Sequence, residues 1–92
     1  MTQSQSDLLQ LKNLGAASVN ILHAVGINSY KDLQGIGSVG AYSRIKNRGI
    51  HVSKVMLYAL EGALLDIHWN ELREDAKAQL VQASEIQIEK AS

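Results

Sequence analysis

Three glycines, Gly35, Gly37 and Gly40, match the spacing G-x-G-x-x-G, which opens the phosphate-binding loop of dinucleotide-binding proteins. In those proteins a buried β-strand precedes the first glycine, and an acidic residue about 20 positions further on binds the ribose. Here residues 29–34 form a capped helical turn instead of a strand, and residues 55–60 contain no acid. The 92-residue chain is also too short for a doubly wound sheet. The glycines therefore call for a different explanation.

The same glycines fit the turn of a helix-hairpin-helix, in which an apolar residue lies between two glycines and an alanine follows. The matching positions are Leu33, Gly35, Ile36, Gly37 and Ala41. We expect Gly35 to adopt the positive φ that the turn requires, and Ile36 to fill the gap between the two helices. Because Gly37 has no Cβ, the backbone N–H groups of the next helix would be open to a phosphate oxygen.

A related pattern occurs earlier in the chain, where Asn13 and Gly15 take the places of Gly35 and Gly37. Asparagine tolerates positive φ better than most non-glycine residues, so we expect Asn13 to form the equivalent turn. Two such turns predict an all-α domain with tandem helix-hairpin-helix turns. Two interpretations stay open: the turns bind phosphate groups, or both of them are purely structural.

The charges are unevenly distributed although the net charge is zero. Residues 1–60 contain six Lys or Arg and two acids, whereas residues 61–92 contain three Lys or Arg and seven acids. The cations of the first half could form a positive patch that attracts an anionic partner, but a solvated helix face is the simpler explanation for them. The net charge of zero disfavours strong non-specific DNA binding. Our candidate DNA contacts are Lys12, Asn13, Gly15, Gly35, Gly37, Arg44, Lys46, Arg48 and Lys54.

Hydrophobic spacing and capping residues predict six helical segments and no strand. Gly26 and Gly49 are expected to end the second and fourth segments, and Ser53 to cap the fifth. Gly62 lies inside the fifth, where glycine costs about 1 kcal/mol relative to alanine, so we expect a close neighbouring helix there. The predicted segments are 7–12, 18–25 (with Ser18 at a cap), a short helix from the Ser29/Asp32 capping box, 39–47, about 53–67, and 73 to about 83.

The predicted fold is therefore all-α, a single small domain of five to six short helices. Residues 1–10 are predicted to be a polar leader with a first short helix, residues 11–83 the helix-hairpin-helix domain, and residues 84–92 a frayed tail. The chain has no cysteine, no basic leader ahead of an apolar run and no apolar stretch long enough to span a bilayer, which favours the cytoplasm.

No group of residues predicts catalysis or metal binding. The histidines, His23, His51 and His68, are far apart in the sequence, and the acids near residues 71–75 offset a helix dipole. Tyr58 and Trp69 are expected to be packing residues rather than platforms for nucleic-acid bases. We therefore expect no enzymatic activity, no cofactor, no metal and no small-molecule substrate.

Two strings in the second half of the chain are the most specific part of a family resemblance. They are Leu57–Leu64 (LYALEGAL) and His68–Leu72 (HWNEL), and they follow the second glycine turn. Together with residues from Leu11 onward, the chain resembles the C-terminal domain of the TfoX/Sxy family over about residues 11–83. The family's regulators act with a cyclic-AMP receptor protein on competence promoters of bacteria.

The sequence departs from that family's pattern in two places. Family regulators carry an additional N-terminal domain of similar size, whereas this chain has a short polar leader. We therefore expect a regulatory role for this chain only if that role does not need the additional domain. The last helix of family members often begins Leu-Pro-Pro-Glu, where this chain has the residues 72–75, LRED. That second difference changes only a helix cap.

The resemblance implies a non-enzymatic regulatory module that binds DNA through its turns or assists a DNA-bound transcription regulator. The alternative is a protein-interaction or dimerisation module with no affinity for nucleic acid. The opposite charges of the two halves favour this alternative, because two such domains could pair head to tail as a homo-oligomer.

Overall fold

A computed structural model describes the backbone of residues 7–91 and the side chains of residues 7–86. Four α-helices form its framework: α1, Ala16–Ala24; α2, Tyr30–Asn47; α3, Lys54–Leu65; and α4, Glu74–Ala91. Two short 3₁₀ turns, Asp7–Gln10 and Trp69–Glu71, precede α1 and α4. No β-strand occurs between residues 7 and 91, which confirms the all-α class. Residues 1–6 of the predicted leader lie outside the described residues.

The helix boundaries follow local capping chemistry. The Ser29 hydroxyl accepts a hydrogen bond from the backbone N–H of Asp32 at the start of α2, and Ser53 does the same for Val55 at the start of α3. Gly26 and Gly49 end α1 and α2 with φ values of 84° and 87°. These capping predictions are confirmed.

Other predicted boundaries were wrong by a few residues. The first segment is a single 3₁₀ turn, and α1 begins at Ala16 with Gly15 as its cap rather than at Ser18. The helix α4 continues to Ala91, past its predicted end near Ala83. Because α4 packs against α2, tertiary contacts extend a helix whose sequence pattern is weak.

The predicted break between the third and fourth segments is a kink inside α2. Gly37 has φ 82° and ψ 165°, so it separates a first helical segment, Tyr30 to Ile36, from a second, Ser38 to Asn47. The expectation that Gly35 carries the positive φ was wrong, because Gly35 lies within the first segment. A glycine is also required at position 40, one turn after Gly37, because a Cβ there would lie 2.7 Å from Cγ2 of Ile36.

The core lies between α1, α2 and α3, with α4 packed across α2 and α3. The largest fully buried side chains are aliphatic, as the shortage of aromatic residues requires. They are Leu8, Leu22, Ile27, Leu33, Ile45, Leu57 and Leu60. The helix α3 buries half of its twelve positions, which places it at the centre of the domain.

Candidate functional site

The two turns proposed from the sequence differ in what surrounds them. Asn13 has φ 73°, as predicted, and Gly37 takes the positive φ of the second turn. An added Cβ would meet no atom within 4 Å at Gly15, Gly35 or Gly37, so the outer surface of both turns is open. Open space at the glycines is compatible with a partner that approaches the backbone closely.

The second turn already contains a carboxylate of the chain itself. The buried hydroxyl of Ser38, the first residue after Gly37, donates a 2.6 Å hydrogen bond to Oε1 of Glu61 on α3. Glu61 therefore places its negative charge at the N-terminus of the second segment of α2, where the helix dipole favours an anion. A phosphate group approaching this turn would meet that negative charge. No pattern in the sequence indicates Glu61 as the partner of Ser38.

Two of the predicted DNA contacts, Arg44 and Arg48, instead bind the end of α1. Arg44 Nη1 donates to the carbonyl oxygen of Val25 at 3.2 Å, and Arg48 Nη1 donates to that of Ala24 at 2.9 Å. These carbonyls are among those left without helical partners at a C-terminus, and the negative end of the dipole favours both guanidinium groups. Arg44 and Arg48 therefore have a structural role in capping α1.

The remaining predicted cations are divided between two places. Lys46 donates to the carbonyl oxygen of Val52 at 3.1 Å, close to Lys54, the exposed first residue of α3. Lys12 lies 3.7 Å from the carboxylate of Asp66, which follows the other end of α3. Asp66 lies twelve positions after Lys54, which is about 18 Å along the helix axis. The nine candidate residues thus do not form one continuous patch.

Asn13 connects the first turn to the far end of α3. Its Nδ2 donates to the carbonyl oxygens of Ile67 at 2.9 Å and Ala59 at 3.4 Å, while its Oδ1 accepts from the backbone N–H of Trp69 at 3.1 Å. Gly62 provides the space for this side chain, because a Cβ there would lie 2.5 Å from Asn13 Nδ2. The close neighbour expected at Gly62 is therefore a side chain and a turn rather than a helix.

An aromatic cluster lies beside this junction. The rings of Tyr58 and Trp69 are stacked with centroids 6.2 Å apart, and Lys77 Nζ lies 5.5 and 5.4 Å from their centroids. The Lys77 side chain is only 17% exposed, although its ammonium also reaches Glu74 at 3.6 Å. Cation–π attraction therefore fixes the start of α4 against α3 and supports the packing role predicted for both rings.

An open groove of about 260 Å³ lies between α1 and α3. Apolar side chains such as Ile21, Val55 and Met56 line it together with polar groups, and Trp69, the single tryptophan of the chain, is also part of the lining. None of its wall residues is acidic. The wall consists of Asn13, Ser18, Ile21, Val52, Ser53, Val55, Met56, Ala59 and Trp69. No sequence pattern predicts this groove, because its wall comes from separate segments of the chain.

Metal-binding and membrane-spanning features are not found in the part of the chain that the structure describes. Among those residues, no three His, Asp or Glu side chains come together in a way that could hold an ion. His68 Nδ1 lies 2.9 Å from Asn70 Oδ1 within the second 3₁₀ turn, which is a structural contact. None of the described helices combines the length and apolar character needed to cross a bilayer.

These features define a small all-helical module whose surface offers turns and a groove. The profile of the TfoX C-terminal domain matches residues 4–84, so the chain belongs to that family. A comparison with curated protein sequences gave no match. No enzymatic activity is known for the family.

Two solved structures from Listeria monocytogenes have the same fold. An uncharacterised protein in a triclinic crystal form is 37% identical, with a TM-score of 0.75 over 79% of this chain and 83% of its own. A protein of unknown function in a tetragonal form is 34% identical, with a TM-score of 0.77 over 84% of this chain and 95% of its own.

Proposed function

We propose that this chain is a non-enzymatic regulatory module that assists transcription by contacting a DNA-bound protein. Membership of the TfoX C-terminal domain family supports a role like that of competence regulators, and the same proposal assigns the chain to the cytoplasm. The choice of a protein over DNA rests on one observation: four of the five candidate cations, all except Lys54, bind groups of the chain itself. Arg44, Lys46 and Arg48 donate to backbone carbonyls, and Lys12 pairs with Asp66.

The charge of the second turn supports the same choice. DNA-binding proteins gain most of their non-specific affinity by neutralising phosphates with several cations. Here the turn contains the Glu61 carboxylate next to Ser38. Outside the turn, Arg44 and Arg48 bind the end of α1. Lys12 lies at the opposite end of α3 from Lys54, so few of these cations could follow one DNA backbone together.

DNA binding is the second candidate, and the open surfaces of Gly15 and Gly37 favour it. In that case the N–H groups after each glycine would contact phosphate oxygens, with Lys12 and Asn13 at the first turn. Further cationic contacts would come from residues later in the chain, Arg44, Lys46, Arg48 and Lys54. The double variant Arg44→Glu/Lys46→Glu would then abolish binding.

One titration distinguishes the two candidates. A labelled duplex is titrated with the protein, first naked and then carrying a bound bacterial cyclic-AMP receptor protein, and fluorescence anisotropy is recorded at low and near-physiological salt. We expect binding to the protein–DNA complex, unchanged in Arg44→Glu/Lys46→Glu provided that variant stays folded. Micromolar binding to the naked duplex that weakens steeply with salt would overturn the proposal and establish the DNA candidate.

A further inference from the structure

The groove between α1 and α3 has the size of a side-chain pocket. Pockets for small molecules usually enclose about 300–1,000 Å³ and bury most of the ligand. This groove offers about 260 Å³ and is open to solvent, so it suits one or two apolar side chains presented by a larger partner. Val55, which is 43% exposed, lies in its wall and is the apolar surface that a partner would cover.

The positive charge at the rim of the groove indicates that the partner carries a negative charge. Lys54 is exposed and precedes Val55 at the start of α3, and among residues 7–86 no carboxylate forms an ion pair with it. Since the wall contains no acid either, the complementary partner carries an apolar side chain next to a carboxylate.

An exposed apolar side chain next to a carboxylate occurs on α4 of the chain itself. Ile86 is 50% exposed, and the exposed Glu85 precedes it. The opposite face of α4, with Leu80, Val81 and the buried Ser84, packs into the domain. Ile86 is thus an apolar side chain without a place in the core, beside a carboxylate that has no ion pair within residues 7–86.

Ile86 does not belong to the groove of its own chain. The helix α4 begins near Trp69, where Lys77 contacts the ring, and it then packs mainly on α2, which contributes no residue to the groove. Ile86 lies nine residues beyond Lys77, or about 14 Å along the helix axis. Ile86 is therefore available to the groove of a second molecule.

We propose that two copies of this chain associate by inserting Ile86 of each into the groove of the other, with Glu85 next to Lys54. The exchange is reciprocal, so it closes a two-fold dimer with two identical contacts. Each contact is small and has an exposed ion pair at its rim, so the dimer is weak and salt-sensitive.

Sedimentation equilibrium at low salt tests the dimer, with Val55→Lys and Ile86→Lys as disrupting variants. We expect the wild type to shift from monomer to dimer between roughly 10 and 1,000 µM, the range of weak interfaces. Each variant should raise the dimer dissociation constant by at least about tenfold. Leu65→Lys is the matched control, because Leu65 is 54% exposed on α3 but does not line the groove. A monomeric wild type throughout, or an equal loss in Leu65→Lys, would overturn the proposal.

A charge exchange tests the pairing of the two copies. Lys54→Glu and Glu85→Lys should each weaken the dimer, and the double variant should restore it to within about threefold of the wild type. Lys31→Glu changes the net charge by as much as Lys54→Glu, at an exposed position outside the groove, and should have little effect. Failure of the double variant to recover would refute the assigned contact. Neither experiment contains DNA or another protein, so the result is independent of the proposed function.

Discussion

The side chain of Asn13 occupies the space that Gly62 leaves open on α3. Gly62 lies in one of the two family-specific strings, and Trp69, whose N–H binds Asn13, lies in the other. The two strings therefore meet at a junction that holds the first turn, the end of α3 and the second 3₁₀ turn together. Gly62 and Trp69 thus have a structural explanation that requires neither catalysis nor ligand binding.

We predict that Gly62→Ala destabilises the domain, against the usual preference of helices. Alanine normally stabilises a helix interior by about 1 kcal/mol relative to glycine. At Gly62 the new Cβ would lie 2.5 Å from Asn13 Nδ2 and 2.8 Å from the carbonyl oxygen of Ile67, which is backbone and moves at a high cost. The free energy of unfolding, measured in urea, should fall by about 1–3 kcal/mol. Gly35→Ala is the control. It should raise the free energy of unfolding, because Gly35 lies within a helical segment and a Cβ there would meet no atom within 4 Å. Similar gains in both variants would contradict the assignment.

Substitutions at Asn13 should separate its two contributions. Asn13→Gly keeps the positive φ but removes three hydrogen bonds, and we expect a loss of about 2–3 kcal/mol in the free energy of unfolding. Asn13→Ala also places a Cβ in the left-handed region, which should cost about a further 1 kcal/mol. Urea denaturation of both variants and the wild type measures each step. Equal stability of Asn13→Gly and the wild type would show that the side-chain contacts are not significant.

The sequence predicted those features that depend on local chemistry. The positive φ of Asn13, the caps at Ser29 and Ser53, and the helix ends at Gly26 and Gly49 each involve residues within a few positions of one another. The same local rules predicted a helix break near Gly37. They assigned the positive φ to Gly35 instead of Gly37, since either glycine can adopt it.

The sequence did not predict features that depend on residues far apart along the chain. The Ser38–Glu61 hydrogen bond spans 23 positions, and the contact of Arg48 with α1 spans 24. For Arg44, Lys46 and Arg48, a sequence pattern gives the charges but not the carbonyl oxygens that they meet, so a positive patch and a solvated helix face both stayed open. The groove was not predicted for the same reason, because the residues that line it come from segments far apart in the sequence.

Two buried serines on α2 provide a matched pair of predictions. Ser38 donates to the Glu61 carboxylate, whereas the buried Ser43 hydroxyl has no hydrogen-bond partner. Ser38→Ala should lower the free energy of unfolding by about 1.5–3 kcal/mol, because it removes a hydrogen bond to a charged group. Ser43→Ala should leave stability unchanged or raise it by about 1 kcal/mol, because it removes a buried unsatisfied group. Chemical denaturation of both variants measures the difference. Equal losses would mean that both hydroxyls have partners.

The guanidinium of Arg48 should stabilise α1 rather than bind a partner. In Arg48→Gln, the carbonyl oxygen of Ala24 loses a charged donor and the C-terminus of α1 loses a favourable cation. We expect a loss of about 0.5–1 kcal/mol in the free energy of unfolding, smaller at high salt because the contact is exposed. Lys31→Gln is the control, since it removes a positive charge from an exposed position on the same helix. Hydrogen exchange should show faster opening of the last turn of α1 in Arg48→Gln only. Unchanged exchange there, combined with weaker binding to a labelled duplex, would instead assign Arg48 to a DNA-binding surface.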